Sequence, residues 1–138
     1  MYKFESNKYV EKSLNDMIEN KKEESDRMKL EEIFSRIENE NYMVKSERKN
    51  LFKEQETLFD KEEELLIKEI ELMKGKEYAK LKNDKSRKAY LNENTQNERF
   101  QVNHQKINIK QIECNIQFRE NQIKMYNRMI DNKFYESE

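Results

Sequence analysis

The chain has 138 residues, of which 41% are charged and only 34% hydrophobic, with a formal net charge of −1 at pH 7. It contains no proline and a single glycine, Gly75, which leaves almost no punctuation for hairpin turns, phosphate-cradling loops or a β-sandwich. Near-neutral charge also removes any strong overall attraction of the molecule for nucleic acid or a membrane surface.

Residues 6–23 read as an amphipathic helix. Val10, Leu14, Met17 and Ile18 fall on one face, and Ser6 is of a suitable type for the N-cap. Met1, Tyr2 and Phe4 form an apolar cluster ahead of it, read as a tail that packs on a neighbour. Lys21 to Arg27 is polar and includes Ser25 and Asp26, so a turn is expected before the next element.

A long helix is expected over 27–82. Every seventh residue from Leu30 is apolar: Leu30, Ile37, Val44, Leu51, Leu58, Leu65 and Leu72, with Ala79 after it. A strict repeat of seven marks a helix that holds one seam against a partner by left-handed supercoiling. A second apolar row runs through Phe52, Phe59, Leu66 and Met73, and Arg48, Gln55, Glu62 and Glu69 lie between the two. Two apolar flanks around a polar centre predict neighbours on both sides of the helix.

Residues 83–95 read as a basic bend, since Asn83, Asp84 and Ser86 favour turns and caps and Arg87 to Leu91 allow one helical turn. Thr95 followed by Glu98 matches the capping box, placing the start of the last helix. That helix, over 96–132, carries the ladder Val102, Ile109, Ile116, Ile123 and Ile130, with Gln105, Ile112, Arg119 and Tyr126 three residues beyond the successive rungs. Facing the two ladders in opposite directions pairs Leu72 with Val102, Leu65 with Ile109, Leu58 with Ile116, Leu51 with Ile123 and Val44 with Ile130. Gln55 then comes near Arg119. A shift of one heptad satisfies the apolar rows nearly as well. The expected fold is therefore all-α: a single domain built as an elongated antiparallel helical hairpin, or coiled coil, with a long central helix and an additional N-terminal helix.

Little in the chain points to catalysis. His104 and Cys114 are the only residues of their types and lie ten apart on a helix, which does not make a metal site or a nucleophile pair. His104 is expected to be an exposed polar residue and Cys114 a small, partly packed one. The Glu62–Glu64 run spreads around a helix as a solvated face. No Glu-x-x-His pair, Walker motif or nucleophile elbow is present, so the protein is read as a non-enzyme without cofactor or metal.

Charge is uneven along the chain. Residues 1–73 hold 14 basic and 20 acidic side chains, whereas residues 74–90 hold seven basic and two acidic. The basic segment comprises Lys74, Lys76, Lys80, Lys82, Lys85, Arg87 and Lys88, interleaved with Tyr78 and Tyr90. Lysine and arginine neutralise phosphates and tyrosine stacks on unpaired bases, so these nine residues are the candidate contact surface for a partner or nucleic acid. The plainer reading is that the lysines solubilise an exposed hairpin end or pair with a neighbour's acidic flank.

The segment Leu81-Lys82-Asn83-Asp84-Lys85-Ser86-Arg87-Lys88-Ala89-Tyr90-Leu91, set between two coiled-coil helices over roughly 44–130, resembles small helical-hairpin proteins encoded by phages and mobile elements of low-GC bacteria. That resemblance implies an accessory of DNA replication or recombination, or an inhibitor of host nucleases or CRISPR effectors. It transfers no particular functional residue. The expected function is a binding protein that blocks or scaffolds a protein or ribonucleoprotein partner. The alternatives are a nucleic-acid-binding accessory factor using the basic bend, and a structural spacer. Open apolar flanks on the long helix also predict a homodimer. With one cysteine, no signal-peptide shape at the N-terminus and no apolar span, no membrane association is expected and the cytoplasm is the expected setting, that of the host cell if the protein is phage-encoded.

Overall fold

The computed structural model describes residues 14–18 and 28–136. The protein is all-α, with no strand among these residues. Most of the N-terminal helix read over 6–23, its apolar tail and the turn after it lie outside the described residues. Within it, residues 14–18 are helical and exposed.

Four helices follow: α1 (Leu30–Met73), α2 (Lys76–Ala79), α3 (Asp84–Asn94) and α4 (Gln96–Glu136). At 1.5 Å per residue, the 44-residue α1 is about 66 Å long and the 41-residue α4 about 60 Å. The chain packs as two compact units. One contains the described residues up to Tyr42 together with those from Glu120 onward, and the other spans Met43–Arg119.

In the first unit, the start of α1 packs on the end of α4. Met28, Ile33, Tyr126 and Ile130 form the core, with Leu30, Ile37 and Met129 against it. Ile33 is wholly buried, and a buried isoleucine contributes roughly 1.5–3 kcal/mol of hydrophobic stabilisation. The early part of the long helix is thus covered by α4 itself. α4 runs on past the expected end at 132, to Glu136.

In the second unit, Val44, Val102, Ile109 and Ile116 are buried, and Leu51, Leu58, Leu65 and Leu72 are half-buried. The ladder residues Leu30, Ile37 and Ile123 are also half-buried, and Ile130 is buried. Beside the leucine row, the half-buried positions are Glu40, Glu47, Glu54, Lys61 and Lys68, three residues beyond successive rungs. They are not Arg48, Gln55 and Glu62, which are exposed.

Polar contacts across the seam fix the register of this unit. Lys68 donates to Glu98 at 2.5 Å, Arg99 to Glu69 at 2.7 Å and Arg119 to Glu47 at 3.3 Å. Gln105, only 3% exposed, donates through Nε2 to the Glu54 carbonyl at 2.9 Å and to its carboxylate at 2.5 Å. These contacts set Glu98 and Arg99 beside Lys68 and Glu69, Gln105 beside Glu54 and Arg119 beside Glu47, whereas the pairing first drawn sets them level with Lys76, Gly75, Glu69 and Gln55. Every one of these contacts falls short of the pairing first drawn, and Arg119 meets Glu47 where Gln55 was expected. The apolar rows repeat every seven residues and cannot distinguish the two alignments. The polar partners can.

The turn region is also more structured than a bend. α1 stops at Met73 and does not run to 82. Lys74 and Gly75 close its last turn with amide bonds to Ile70, Glu71 and Leu72 carbonyls, and Gly75 then takes an extended conformation (φ −77°, ψ 159°) as N-cap of α2. Glycine is the ordinary residue most costly to hold in a helix interior, so the break falls there. Asn83 caps α3, its side chain accepting from the Ser86 amide at 2.7 Å. The turn-forming residues Asn83, Asp84 and Ser86 therefore start an 11-residue helix inside the segment expected to be a bend.

Thr95 separates α3 from α4, at the expected boundary, but not by a capping box. Its carbonyl accepts from the Arg99 amide at 2.9 Å. Its hydroxyl donates to the Leu91 carbonyl at 2.6 Å and accepts from Arg99 Nε at 2.9 Å. Glu98 is drawn away to Lys68. Thr95 is fully buried, so a hydroxyl with both donor and acceptor used is the arrangement burial requires.

Candidate partner-binding surface

The basic segment folds as the connection between the two long helices. α1 delivers Lys74, α2 carries Lys76 and Tyr78, Lys80 and Lys82 lie in the link, and α3 carries Lys85, Arg87, Lys88 and Tyr90. All six lysines are exposed, whereas Tyr78, Arg87 and Tyr90 are half-buried.

Those three half-buried members hold the connection in shape. Arg87 Nε donates to the Leu81 carbonyl at 3.2 Å, and the Arg87 guanidinium lies over the Tyr78 ring at 5.7 Å from its centroid. Tyr78 and Tyr90 pack tilted at 50°, with centroids 6.3 Å apart. An arginine–tyrosine contact of this kind contributes on the order of 0.5–1 kcal/mol at an exposed site and more when desolvated. Arg87 therefore acts chiefly as a brace. The tyrosines support the turn and offer less open ring surface for base stacking than isolated ones would.

Glu77 and Asp84 are the only carboxylates in the segment. Glu77 meets Lys80 at 3.9 Å with both side chains 73% exposed, a pair worth little in water. The lysines thus present a mostly uncompensated positive surface on a braced support. Such a surface attracts anionic groups over about a Debye length, roughly 8–10 Å at 0.1–0.15 M salt.

The other residues singled out from sequence separate cleanly. The leucine and isoleucine ladders lie on the packed seam. Phe52, Phe59, Leu66 and Met73 do not: Phe52 is 64% and Phe59 67% exposed, and no described residue covers the row. His104 is exposed and stacks flat on Phe100, with centroids 6.0 Å apart. Cys114, expected to be partly packed, is exposed, because it lies on the side of α4 away from the Val102–Ile116 seam. Among the described residues, no group of three His, Cys, Asp or Glu side chains could hold a metal ion. No described helix is long and apolar enough to cross a membrane.

Sequence reasoning missed the cross-seam set Lys68–Glu98, Glu69–Arg99, Glu54–Gln105 and Glu47–Arg119. The signal for three of these pairs was the row three residues beyond the leucines, read against Glu98, Gln105 and Arg119 of α4; Glu69 and Arg99 lie one residue outside those rows. Glu98 is held below the ordinary glutamate range, first by the hydrogen bond from Lys68 and then by its own backbone amide, against a smaller opposing effect of burial.

Fold and surface together define an all-α helical hairpin that exposes a basic connection. No family model, curated protein or solved structure matches the chain.

Proposed function

We propose that the protein is a non-enzymatic binding protein that uses the basic connection to engage an anionic surface of a macromolecular partner, and that it works as a homodimer. One observation carries the reading: six exposed lysines gather on a connection braced by Arg87, Tyr78 and Tyr90, with two carboxylates among them. Preorganisation of this kind lowers the ordering cost of binding. The partner class that fits is nuclease, CRISPR-type defence or nucleic-acid-processing machinery, which exposes either nucleic acid or nucleic-acid-mimicking acidic protein surface. A phage or mobile-element origin, drawn from the resemblance of residues 81–91, accords with this class and with action in the host cytoplasm.

A second reading has its own support, because lysine side chains interleaved with tyrosine also suit direct binding of nucleic acid. One experiment separates the two. Labelled single- and double-stranded DNA and RNA are titrated at low and moderate salt against the protein and against Lys82→Glu/Lys85→Glu. Salt-dependent binding lost in the variant establishes the nucleic-acid reading. No binding of nucleic acid, with capture of one protein partner that the same variant no longer captures, establishes the leading one. A partner captured equally by the variant overturns the role of the basic connection.

A further inference from the structure

α4 is one continuous helix, and its side away from the Val102–Ile116 seam carries a second ladder. Phe100, Ile107, Phe118 and Met125 are all exposed there. His104, Gln111, Cys114 and Asn121 fall between them and are exposed too. These positions advance alternately by four and three residues, the spacing of a coiled-coil seam, over about 38 Å of helix.

The charge pattern marks this face as a contact. Gln101, Asn108, Asn115 and Gln122 border the ladder on one side, and Asn103, Lys110, Gln117 and Lys124 border it on the other. Ladder and borders together hold two charges, Lys110 and Lys124, in a chain whose residues are 41% charged. Charge depletion around aromatic and apolar anchors is the composition of a buried protein contact, not of a solvated helix face.

The order of the residues specifies a second copy. An antiparallel α4, related by a two-fold axis between Ile112 and Glu113, sets Phe100 level with Met125 of the second copy and Ile107 with Phe118. The polar layers then fall together, His104 with Asn121 and Gln111 with Cys114, and the rotation makes every match twice. The same axis sets Gln101 beside Gln122, Asn108 beside Asn115, Lys110 beside Gln117 and Lys124 beside Asn103. No like charges meet along the seam. Sliding the copy by one heptad loses this agreement in either direction. One way, Ile107 faces Gln111 and Lys110 faces its own equivalent; the other way, Phe100 faces Asn132 and Lys110 faces Lys124. A parallel pair would crowd two basic connections, each with seven basic and two acidic residues, at one end, and like-charged surfaces resist that. The area is also sufficient. Phe100 and Phe118, 68% and 63% exposed, have on the order of 100 Å² each left to bury, and the whole seam with its borders reaches the roughly 1,200 Å² of a small specific interface.

We propose that two copies of the chain associate antiparallel through the outer faces of α4, about an axis between Ile112 and Glu113. The inference rests on the homodimer part of the proposed function and adds the surface, its register and its orientation.

The test uses the full chain in a Cys114→Ser background. Light scattering at micromolar concentration should give twice the chain mass. Ile107→Glu and Phe118→Lys should each weaken self-association at least roughly tenfold, because each sets a charge against an apolar side chain twice. Helicity by circular dichroism should stay unchanged, since both positions are exposed. An equimolar mixture of the two should recover the dimer, as a mixed pair has one glutamate–lysine layer and one isoleucine–phenylalanine layer. Neither a parallel pair nor either heptad shift sets 107 against 118. His104→Cys combined with Asn121→Cys should form a disulfide-linked dimer. Either change alone should not, because its two copies lie about 25 Å apart along the helix. Linkage of a single variant means a parallel pair and overturns the orientation. Weakening without recovery on mixing overturns the register. A dimer indifferent to both charge variants overturns the surface while leaving a homodimer, and its loss on Phe52→Glu/Phe59→Glu would assign the outer face of α1 instead. A monomer overturns this inference and the homodimer together, and leaves the role of the basic connection to the titration that tests it.

Discussion

Replacing Arg99 with glutamate tests the register directly. Arg99 reaches across the seam to Glu69 at 2.7 Å, and its Nε donates to the buried Thr95 hydroxyl. The Glu69 side chain is 19% and that of Arg99 39% exposed, so the pair lies between the surface and buried limits. A hydrogen bond to a charged group contributes about 1.5–3 kcal/mol, and partial exposure puts this one near the lower end. Arg99→Glu also sets a carboxylate against Glu69 and beside Glu98, adding about 1 kcal/mol of repulsion at the water-like dielectric of a part-exposed site. The expected loss is roughly 2–3 kcal/mol. For a chain of this length that lowers the melting temperature by about 6–12 °C. Thermal unfolding followed by circular dichroism measures it, and Glu69→Arg combined with Arg99→Glu should restore at least half of the loss as a double-mutant cycle. In the pairing first drawn, residue 99 would lie level with Gly75, and no change at 69 could rescue it. A double variant no more stable than Arg99→Glu alone would therefore refute the register and the argument that polar contacts set it.

Three further outcomes are expected. Ile33→Ala empties a fully buried site in the Met28–Tyr126–Ile130 core and should cost about 2–4 kcal/mol; hydrogen exchange should speed up in residues 28–42 and 120–134, and protection there equal to the parent chain would contradict the core assignment. Glu98 has a lowered folded pKa, so its contribution to stability is present above the ordinary glutamate value of about 4.3 and is lost as pH falls through the lower folded value. The melting temperature of Glu98→Gln should accordingly fall less steeply than that of the parent chain below about pH 4.3, and identical slopes would remove Glu98 from the acid transition. Arg87→Ala removes the bond to Leu81 and the contact with Tyr78, which should cost about 1–2 kcal/mol locally; amide exchange at 76–84 reads it, and an unchanged rate would show that Arg87 is no brace.

Much of this fold could be read from the residues. The absence of proline and the heptad rows at Leu30–Leu72 and Val102–Ile130 are local properties, and they lead directly to paired long helices. Asn83 and Thr95 are likewise local, and both stand at helix boundaries. Register is different in kind. Two ladders with the same period leave the alignment open, and what selects it is whether Glu69 finds Arg99 and Glu54 finds Gln105. Those partners lie 30 and 51 residues apart, and no local pattern links them. Thr95 and Glu98 resembled a capping box for the same reason: their nearest sequence neighbours were visible, whereas Lys68 and the Arg99 side chain were not yet in place. At the candidate surface the lysines were legible as a charge run. The bracing of Arg87 on Tyr78 and Tyr90 was not, because it requires the chain to reverse at 80–83.

The cross-seam contacts also imply an order of assembly. Their sequence separations rise from 30 residues at Lys68–Glu98, through 51 at Gln105–Glu54, to 72 at Arg119–Glu47. Closing a loop costs entropy that grows with its length, but once the pairs near the connection have formed, each later pair closes only a short additional loop. The hairpin is thus built to zip outward from the α2–α3 connection, and its folding rate depends on how soon that connection forms. Within the Met43–Arg119 unit the Arg119–Glu47 pair comes last on that route, and it is the first to part when this unit opens.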